Sequence, residues 1–401
     1  MRSKKTQRLL GMATAIAIGL ATRTASATTP AQPLIVKADL LFDGTQFLTG
    51  QAVLVQDGKI AKVGPAKQVK LPGARIVNVP GGTILPGFID MHTHHILNGV
   101  PPLRMLEHGV TTARDLGGPV APVMINQPYQ LRQFTSGLIL SAPGGYPNVV
   151  FPGSGVEVSG EAQVRATVDS FVAQGASVIA VSLEPGGEFG APAHWHMPKT
   201  PPPWPTLTDA ELNAAVDQAH NVHHVPVAAY LGTDEGARRA LAAGVDEWAH
   251  MPCDPLSPAT IASAGAAGVA IDGTIDTEVQ CTGVHDNAAA LVAAGAKLFY
   301  ATDMGHPDIP HGIDAQEIHM GIHAGLHSGM PFVDSLVAAL ASATSAAGDY
   351  LGLAPLGRIV EGAPADLIVI GSDPRANFKE LEYPRWVIKD GLIVVKRAQG
   401  E

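Results

Sequence analysis

A repeated local pattern constrains the fold of this chain more than any other feature of its sequence. A segment with helical spacing of apolar residues ends at a glycine, and a short apolar, mostly β-branched run follows. Glycine suits the left-handed position at the C-terminal end of a helix, and a continuous apolar run is typical of a strand buried on both faces. The repeating unit is therefore a helix followed by a buried strand. It occurs at His108-Gly109-Val110, Gln174-Gly175-Ala176, Ala243-Gly244-Val245, Ala267-Gly268-Val269 and Ala294-Gly295-Ala296.

Eight candidate strands lie in the middle of the chain, and helical segments separate most of them. Eight such alternations over residues 86–356 predict an α/β fold of the (β/α)8 TIM barrel type, which commonly takes about 250 residues. An open, doubly wound sheet is the alternative. The predicted strands are residues 84–91, 110–116, 137–141, 178–183, 226–231, 245–250, 269–273 and 298–302.

Both ends of the chain carry a different pattern. Residues 34–79 and 359–395 alternate apolar and polar positions, with turn signals such as Asp57-Gly58 and Asp390-Gly391. Neither end has enough strands for a stable core of its own. We therefore expect residues 28–85 and 357–401 to form one small composite β-sandwich beside the barrel.

The first 27 residues have the features of a cleaved secretory signal. A basic segment precedes a mostly apolar stretch, which is shorter than the ~20 residues of a membrane-spanning helix, and Ala25-Ser26-Ala27 is a small-x-small cleavage site. We expect an exported protein, periplasmic or secreted, without membrane contact after cleavage. A formal net charge of −10 argues against a nucleic-acid partner. Assembly into a homo-oligomer stays open.

The first barrel strand ends in a pattern that favours metal binding. Its last residues are Asp90-Met91-His92-Thr93-His94. Side chains two residues apart on a strand point to the same side, which is the lumen of a closed barrel. Functional groups of such barrels lie at the carboxyl ends of the strands, and two imidazoles there can bind one metal ion.

Further motifs extend this signal over nearly the whole mature chain. With them the sequence resembles the metal-dependent amidohydrolase superfamily, in its imidazolonepropionase-like and prolidase-like branch. The resemblance implies a barrel with a sandwich from both chain ends and a hydrolase of carbon–nitrogen bonds. The matching segments are residues 85–94, 109–115, 301–303, 343–345 and 362–367.

The resemblance also implies a set of metal ligands, of which this chain has only part. The family places two histidines on strand one, a carbamylated lysine that bridges two metals on strand four, histidines on strands five and six, and an aspartate on strand eight. Ala180 stands where the lysine is expected and Tyr230 where the strand-five histidine is expected. A methyl group cannot bridge metals, and a phenol of pKa ~10 is a poor ligand. We therefore expect one divalent ion, zinc, rather than two. The ligands present are His92, His94, His250 and Asp303.

These residues predict a hydrolytic mechanism. A zinc ion at the site would lower the pKa of water toward ~7 and so supply hydroxide to a carbonyl or amidine carbon. The resemblance implies that Asp303 transfers the proton to the leaving nitrogen. We expect His250 to complete the site or shuttle a proton, and Tyr230 to donate to the developing oxyanion.

The expected substrate is a small amide, cyclic amide, N-acyl amino acid or dipeptide. Two alternatives are a deaminase-like hydrolase and a barrel that has lost catalysis and only binds a ligand. Cys253 and Cys281 can be a disulfide, free thiols or metal ligands. Candidate substrate contacts after the fourth and eighth strands, the first of them also a candidate metal ligand, are Glu184, His194, His196, His306 and His311.

Overall fold

The computed structural model describes residues 32–121, 129–186 and 201–397. The predicted signal sequence lies outside these ranges, and so do the predicted substrate contacts His194 and His196. Within the described ranges, no helix combines the length and apolar character needed to cross a membrane.

Strands from both ends of the chain form one mixed sheet. They are β1 (Leu34–Phe42), β2 (Phe47–Thr49), β3 (Gln51–Gln56), β4 (Lys59–Pro65), β5 (Arg75–Pro86), β16 (Leu367–Ile370), β17 (Trp386–Lys389) and β18 (Leu392–Lys396). The order is β18-β17-β16-β5-β1-β3-β4, with β2 paired to β1. The C-terminal strand β16 pairs antiparallel with β5, so that Leu367 lies opposite Pro86. The two ends also share one apolar core.

Ten parallel strands follow one another in the described residues of the middle of the chain. They are β6 (Phe88–Thr93), β7 (Val110–Asp115), β8 (Arg132–Thr135), β9 (Ile139–Ser141), β10 (Gly155–Glu157), β11 (Ile179–Ser182), β12 (Val227–Tyr230), β13 (Glu247–Trp248), β14 (Ala270–Asp272) and β15 (Lys297–Phe299). They pair in the orders β6-β7-β8 and β10-β9-β11-β12-β13-β14-β15. Backbone bonds link the two sets, from Ser177 N to Thr135 O at 2.9 Å and from Met91 N to Tyr300 O at 3.2 Å. This is a TIM-barrel-type arrangement.

Helices alternate with most of these strands, and glycine ends several of them as predicted. Four helices end at glycines in the left-handed conformation, namely Gly175, Gly244, Gly268 and Gly295. The helices are α1 (Pro102–Glu107), α2 (Glu161–Gln174), α3 (Asp209–Asp217), α4 (Asp234–Ala243), α5 (Pro258–Ala267), α6 (Val284–Ala294), α7 (Ala315–His327), α8 (Phe332–Ser342) and α9 (Ser345–Tyr350).

Two of the predicted strands are wrong in their extent. The predicted strand 84–91 is divided: β5 ends at Pro86 in the sheet of the chain ends, and β6 begins at Phe88. Gly87 lies between the two strands. The position requires glycine because a Cβ there would lie 2.3 Å from Thr111 Cγ2. The predicted strand 137–141 is shorter in the structure, where β9 begins at Ile139 and a separate strand, β8, ends at Thr135. Gly137 separates the two strands because its φ of 79° interrupts the extended chain.

The interior of the barrel next to β6 contains buried charged side chains. Arg114 of β7 is buried there and donates from Nε to the Met91 carbonyl at 2.8 Å. It also donates from Nη1 to Glu247 of β13 at 3.0 Å and lies 3.4 Å from Asp272 of β14. This charge network ties four strands together directly beneath the end of β6.

Candidate metal centre and substrate cavity

His92 and His94 lie at the end of β6, and a backbone carbonyl just after β13, a strand that does not pair with β6, orients the first of them. His92 is fully buried, and its Nδ1 donates to the carbonyl oxygen of Ala249 at 2.5 Å. In the neutral ring the other nitrogen, Nε2, is then unprotonated and directs its lone pair away from this bond. That Nε2 lies 3.3 Å from Nε2 of His94.

Asp303 reaches the same point from the end of the last barrel strand. Its backbone has a φ of 57°, a left-handed conformation that aspartate tolerates better than most residues. Its N–H donates to the His92 carbonyl at 2.9 Å. One residue earlier, Thr302 donates to the buried Asp90 from its backbone at 3.1 Å and from its hydroxyl at 2.6 Å. Asp90 thereby fixes the last strand against the first.

The three side chains have the spacing of metal ligands. His94 Nε2 lies 3.2 Å from Asp303 Oδ1, and His92 Nε2 lies 3.7 Å from it. All three ligand atoms lie within 4.8 Å of one another. Bonds of about 2.0–2.2 Å in a tetrahedron place ligand atoms about 3.3–3.6 Å apart, so these residues fit one divalent cation such as zinc.

The pKa shifts of the three groups follow from their burial and from their contacts with one another. Burial lowers the pKa of His92 well below its ordinary value, so the ring stays neutral. Burial also lowers the pKa of His94, but the adjacent Asp303 carboxylate outweighs it and raises the pKa overall. Burial raises the pKa of Asp303. The three neighbouring histidines lower it by more than burial raises it, so the net shift is downward. Asp303 is therefore an anion at neutral pH.

Tyr230 and Ala180, which stand where the resemblance implies two further ligands, are both fully buried. Burial raises the pKa of Tyr230 well above its ordinary value, and its hydroxyl donates to the Leu116 carbonyl. The same oxygen lies 3.0 Å from His92 Nε2. Ala180 is fully buried in an apolar cluster that includes Tyr230 and Trp204. A second metal would need a bridging ligand at Ala180, and the described residues around Ala180 form apolar packing instead.

His250 lies beside the three-residue cluster without joining it. Its ring centroid is 4.6 Å from that of His92, and its Nδ1 is 2.9 Å from Thr274 Oγ1. Burial lowers the pKa of His250 to about 4. Thr274 has a φ of 44°, a strained value for a β-branched residue. The predicted ligand is therefore an uncharged imidazole held next to the candidate metal site.

A cavity of about 550 Å³ opens onto His94 and Asp303. His306 lines this cavity, as expected of a substrate contact. His311 instead lines a separate hollow with Arg104. Gly305 shapes the wall because a Cβ there would lie 3.1 Å from His94 Cβ. Other lining residues are Leu97, Asn98, Ile139, Tyr146, Pro147, Val150, Phe151, Pro152, Gly153, Ser154, Thr277, Glu278 and Pro307.

Comparison with known proteins places this site in a family. The sequence model of the amidohydrolase family matches residues 83–394. The chain belongs to the amidohydrolase family. The protein is accordingly a hydrolase that acts on carbon–nitrogen bonds, and the resemblance seen in its motifs is confirmed.

Individual relatives of this amidohydrolase are distant. It is 26% identical over 372 residues to an imidazolonepropionase of Cereibacter sphaeroides, with 82% of this chain and 90% of the relative covered. A dihydroorotase of Aquifex aeolicus is 42% identical over 62 residues, a match that covers 15% of this chain and 14% of that protein. An N-substituted formamide deformylase of Arthrobacter pascens matches over 12% of its length.

Solved structures resemble this amidohydrolase along most of the chain. A Xaa-Pro dipeptidase with bound methionine has a TM-score of 0.72 at 21% identity, covering 90% of this chain and 99% of that one. The ochratoxinase of A. niger has a TM-score of 0.70 at 19% identity, covering 92% and 97%. These likenesses show the TIM-barrel-type fold.

Two features of the amidohydrolase site escaped sequence reasoning or were left open by it. Glu278 lines the cavity after β14, at the carboxyl end of a barrel strand where functional groups collect, and that position was the signal for it. Cys253 and Cys281 form a disulfide with a Cα–Cα distance of 4.9 Å, which joins the loops after β13 and β14. Glu184 is buried and accepts from Gly186 N at 2.7 Å, and it belongs neither to the ligand cluster nor to the cavity lining.

Proposed function

We propose that this amidohydrolase uses a single divalent cation, held by His92, His94 and Asp303, to hydrolyse a carbon–nitrogen bond of a small molecule. One observation carries the proposal: three ligand atoms have tetrahedral spacing, and two of the residues that provide them, His94 and Asp303, line a cavity large enough for a small substrate. The apolar packing around Ala180 supports one ion rather than two. Amides, cyclic amides and N-acyl amino acids or dipeptides are the substrate classes we propose.

The chain's own residues would each contribute a defined function. When bound, a divalent cation lowers the pKa of water and polarises a carbonyl group, which is what amide hydrolysis requires near neutral pH. The Ala249 carbonyl orients His92 for this ligation. Asp303 is ionised and can take a proton on its carboxylate. His250 is uncharged, so a ring nitrogen can accept or pass on a proton.

The hydroxyl of Tyr230, expected to donate to a developing oxyanion, donates to a backbone carbonyl in the structure. Its proton is donated to the Leu116 carbonyl, and its oxygen contacts His92 Nε2. The hydroxyl and the unprotonated Nε2 share no proton in this arrangement, so the contacts support a role for Tyr230 in shaping the site beside His92. Donation to a developing oxyanion stays a prediction, and it would require the hydroxyl to exchange its acceptor.

Metal content and turnover test the proposal together. We expect about one zinc-like ion per chain after dialysis against metal-free buffer, measured by elemental analysis. Asp303→Asn keeps the side-chain size and the tolerance for a left-handed backbone, but removes the anionic ligand and proton acceptor. It should lose the ion and bring turnover to background, because acid–base catalysis alone contributes about 10²–10⁴-fold. Asp308→Asn, at an exposed site five residues on, is the matched control.

The outcomes separate the alternatives. Two ions per chain would contradict the single-ion proposal, and equal activity of wild type and Asp303→Asn would place the active site elsewhere. The panel should contain N-acyl amino acids, dipeptides and cyclic imides, with ammonia measured separately because its release marks a deaminase. No metal and no turnover in the wild type, with both gained by Ala180→Lys combined with Tyr230→His, would favour a barrel that only binds its ligand.

We also propose that the protein works in an exported, oxidising compartment. The Cys253–Cys281 disulfide supports this, since such bonds persist there and are rare in the cytosol. Fractionation of cells that express the full chain tests it: the protein should be recovered outside the cytoplasm with no free thiol.

A further inference from the structure

The Glu278 side chain is buried, and no residue that the structure describes offers its carboxyl group a hydrogen-bond donor. Its exposed fraction is 7%, and Oε1 has no hydrogen-bond partner among the residues that the structure describes. Oε2 lies 3.2 Å from Cys281 Sγ, which is a disulfide sulfur and has no proton to donate. Burying such a group unpaired costs free energy, so it calls for an explanation.

The loop that carries Glu278 is held firmly in place. Glu278 N donates to the Thr274 carbonyl at 3.0 Å, and the Cys281 N–H donates to the Glu278 carbonyl at 2.9 Å. The Thr277 hydroxyl donates to the Thr302 carbonyl at 3.0 Å. The disulfide adds a covalent anchor three residues after Glu278. The unpaired carboxyl is therefore preorganised at the cavity wall, not a side chain on a loose loop.

Burial and acidic groups near this wall raise the pKa of two of its lining residues. Burial raises the pKa of Tyr146, another lining residue, and the carboxylates of Asp303, Glu184 and Glu278 raise it further. Burial likewise raises the pKa of Glu278 to about 8, with Asp303 and Glu184 adding to the effect. Among the lining residues that the structure describes, the carboxyl groups are Glu278 and Asp303, and none is Lys or Arg.

We propose that Glu278 determines specificity by binding a positively charged amine or guanidine of the substrate. The cation would supply the donors that both carboxyl oxygens lack. The rings of Tyr146 and Phe151 line the same cavity with centroids 6.4 Å apart, and aromatic faces attract cations. This inference rests on the proposed function for what happens to the substrate. Its binding step can be tested without turnover.

Three small aromatic probes test the binding step by titration calorimetry. Benzylamine, benzyl alcohol and benzoate have similar size but positive, neutral and negative charge. Charge-assisted hydrogen bonds contribute about 1.5–3 kcal/mol, so the wild type at about pH 8 should bind benzylamine about 10- to 100-fold more tightly than benzyl alcohol. Benzoate should bind most weakly.

Variants assign the preference to Glu278. Glu278→Gln has nearly the same shape and should reduce the benzylamine preference to within about threefold of benzyl alcohol, and Glu278→Leu should do the same. Glu361→Gln removes a carboxylate at an exposed position outside the cavity and should leave the preference unchanged. Once a substrate pair is known, Glu278→Gln should raise KM for the amine-bearing member and leave its neutral analogue unaffected.

Three results would overturn the inference. They are benzyl alcohol binding as tightly as benzylamine, a preference that survives in Glu278→Gln, and a wild type that binds none of the probes at millimolar concentration. Loss of turnover on charged and neutral substrates alike in Glu278→Gln would instead make Glu278 a proton donor. Metal content measured on the same samples keeps the two proposals apart, since an ion-free protein that still selects benzylamine contradicts only the proposed function.

Discussion

Removal of the Arg114 side chain should destabilise the protein through the carboxyl groups that it leaves behind. Arg114 is almost fully buried in the barrel lumen and donates to Glu247 and to the Met91 carbonyl. Burial raises the pKa of Asp272, and the neighbouring Glu247 carboxylate raises it further, so Asp272 retains a proton. The Glu247 carboxyl group makes the shortest ion-pair contact with Arg114. Arg114→Met keeps an unbranched side chain but leaves the Glu247 carboxyl group without its cation.

The expected loss follows from this buried charge. Breaking a buried ion pair by removing one partner costs about 3–5 kcal/mol. Unfolding entropy is about 2.1 cal/mol/K per residue, and the chain has 401 residues. The melting temperature of Arg114→Met should therefore fall by about 4–6 °C.

Scanning calorimetry on three variants tests this explanation. The double variant Arg114→Met with Glu247→Met removes both charges and should recover at least half of the loss, because no unpaired ion remains. Arg238→Met removes an exposed arginine that contacts Asp234 at 3.3 Å on α4, and it should change stability by less than about 1 kcal/mol.

The double variant also decides whether the reasoning holds. If it is as unstable as Arg114→Met alone, the loss comes from packing or from the Met91 carbonyl bond rather than from an unpaired Glu247. If Arg114→Met melts within 1 °C of the wild type, the lumen charges are better solvated than their burial indicates.

Three further predictions concern the disulfide, the sheet of the chain ends and pH. Replacing Cys253 and Cys281 by serine opens a loop with a sequence separation of 28, which should cost about 3–4 kcal/mol in urea unfolding; an unchanged midpoint would contradict it. Truncation after Gly357 removes β16 to β18 and uncovers the edge of β5, so we expect insoluble protein; a soluble truncation that melts cooperatively would be the opposite result. Burial raises the pKa of Glu184 to about 7, so the folded state holds this proton more tightly than the unfolded one and loses stability as pH rises from about 4.5 through 7. The melting-temperature advantage of Glu184→Gln should therefore grow from pH 5 to pH 8, and a constant difference would rule out this titration.

Local sequence features predicted most secondary-structure elements and two of the three candidate metal ligands. Helix ends at Gly175 and Gly244 were readable because few residues other than glycine adopt the left-handed conformation that ends a helix. The pairing of His92 with His94 was readable because strand geometry repeats every two residues. The resemblance added Asp303, which no local period connects to residues 211 or 209 positions earlier.

Only the tertiary structure decided what surrounds these groups. Nothing in the sequence indicated that the Ala249 carbonyl would set the protonated nitrogen of His92, or that Asp90 of the first barrel strand would hold Thr302 after the last one. Glu278 could be placed near the site by its strand, but its lack of a donor depends on every neighbour that packs against it. Spacing along the chain fixes which residue types can meet. Burial, hydrogen-bond pairing and electrostatic potential are sums over atoms distant in sequence, so they exist only once the chain has folded.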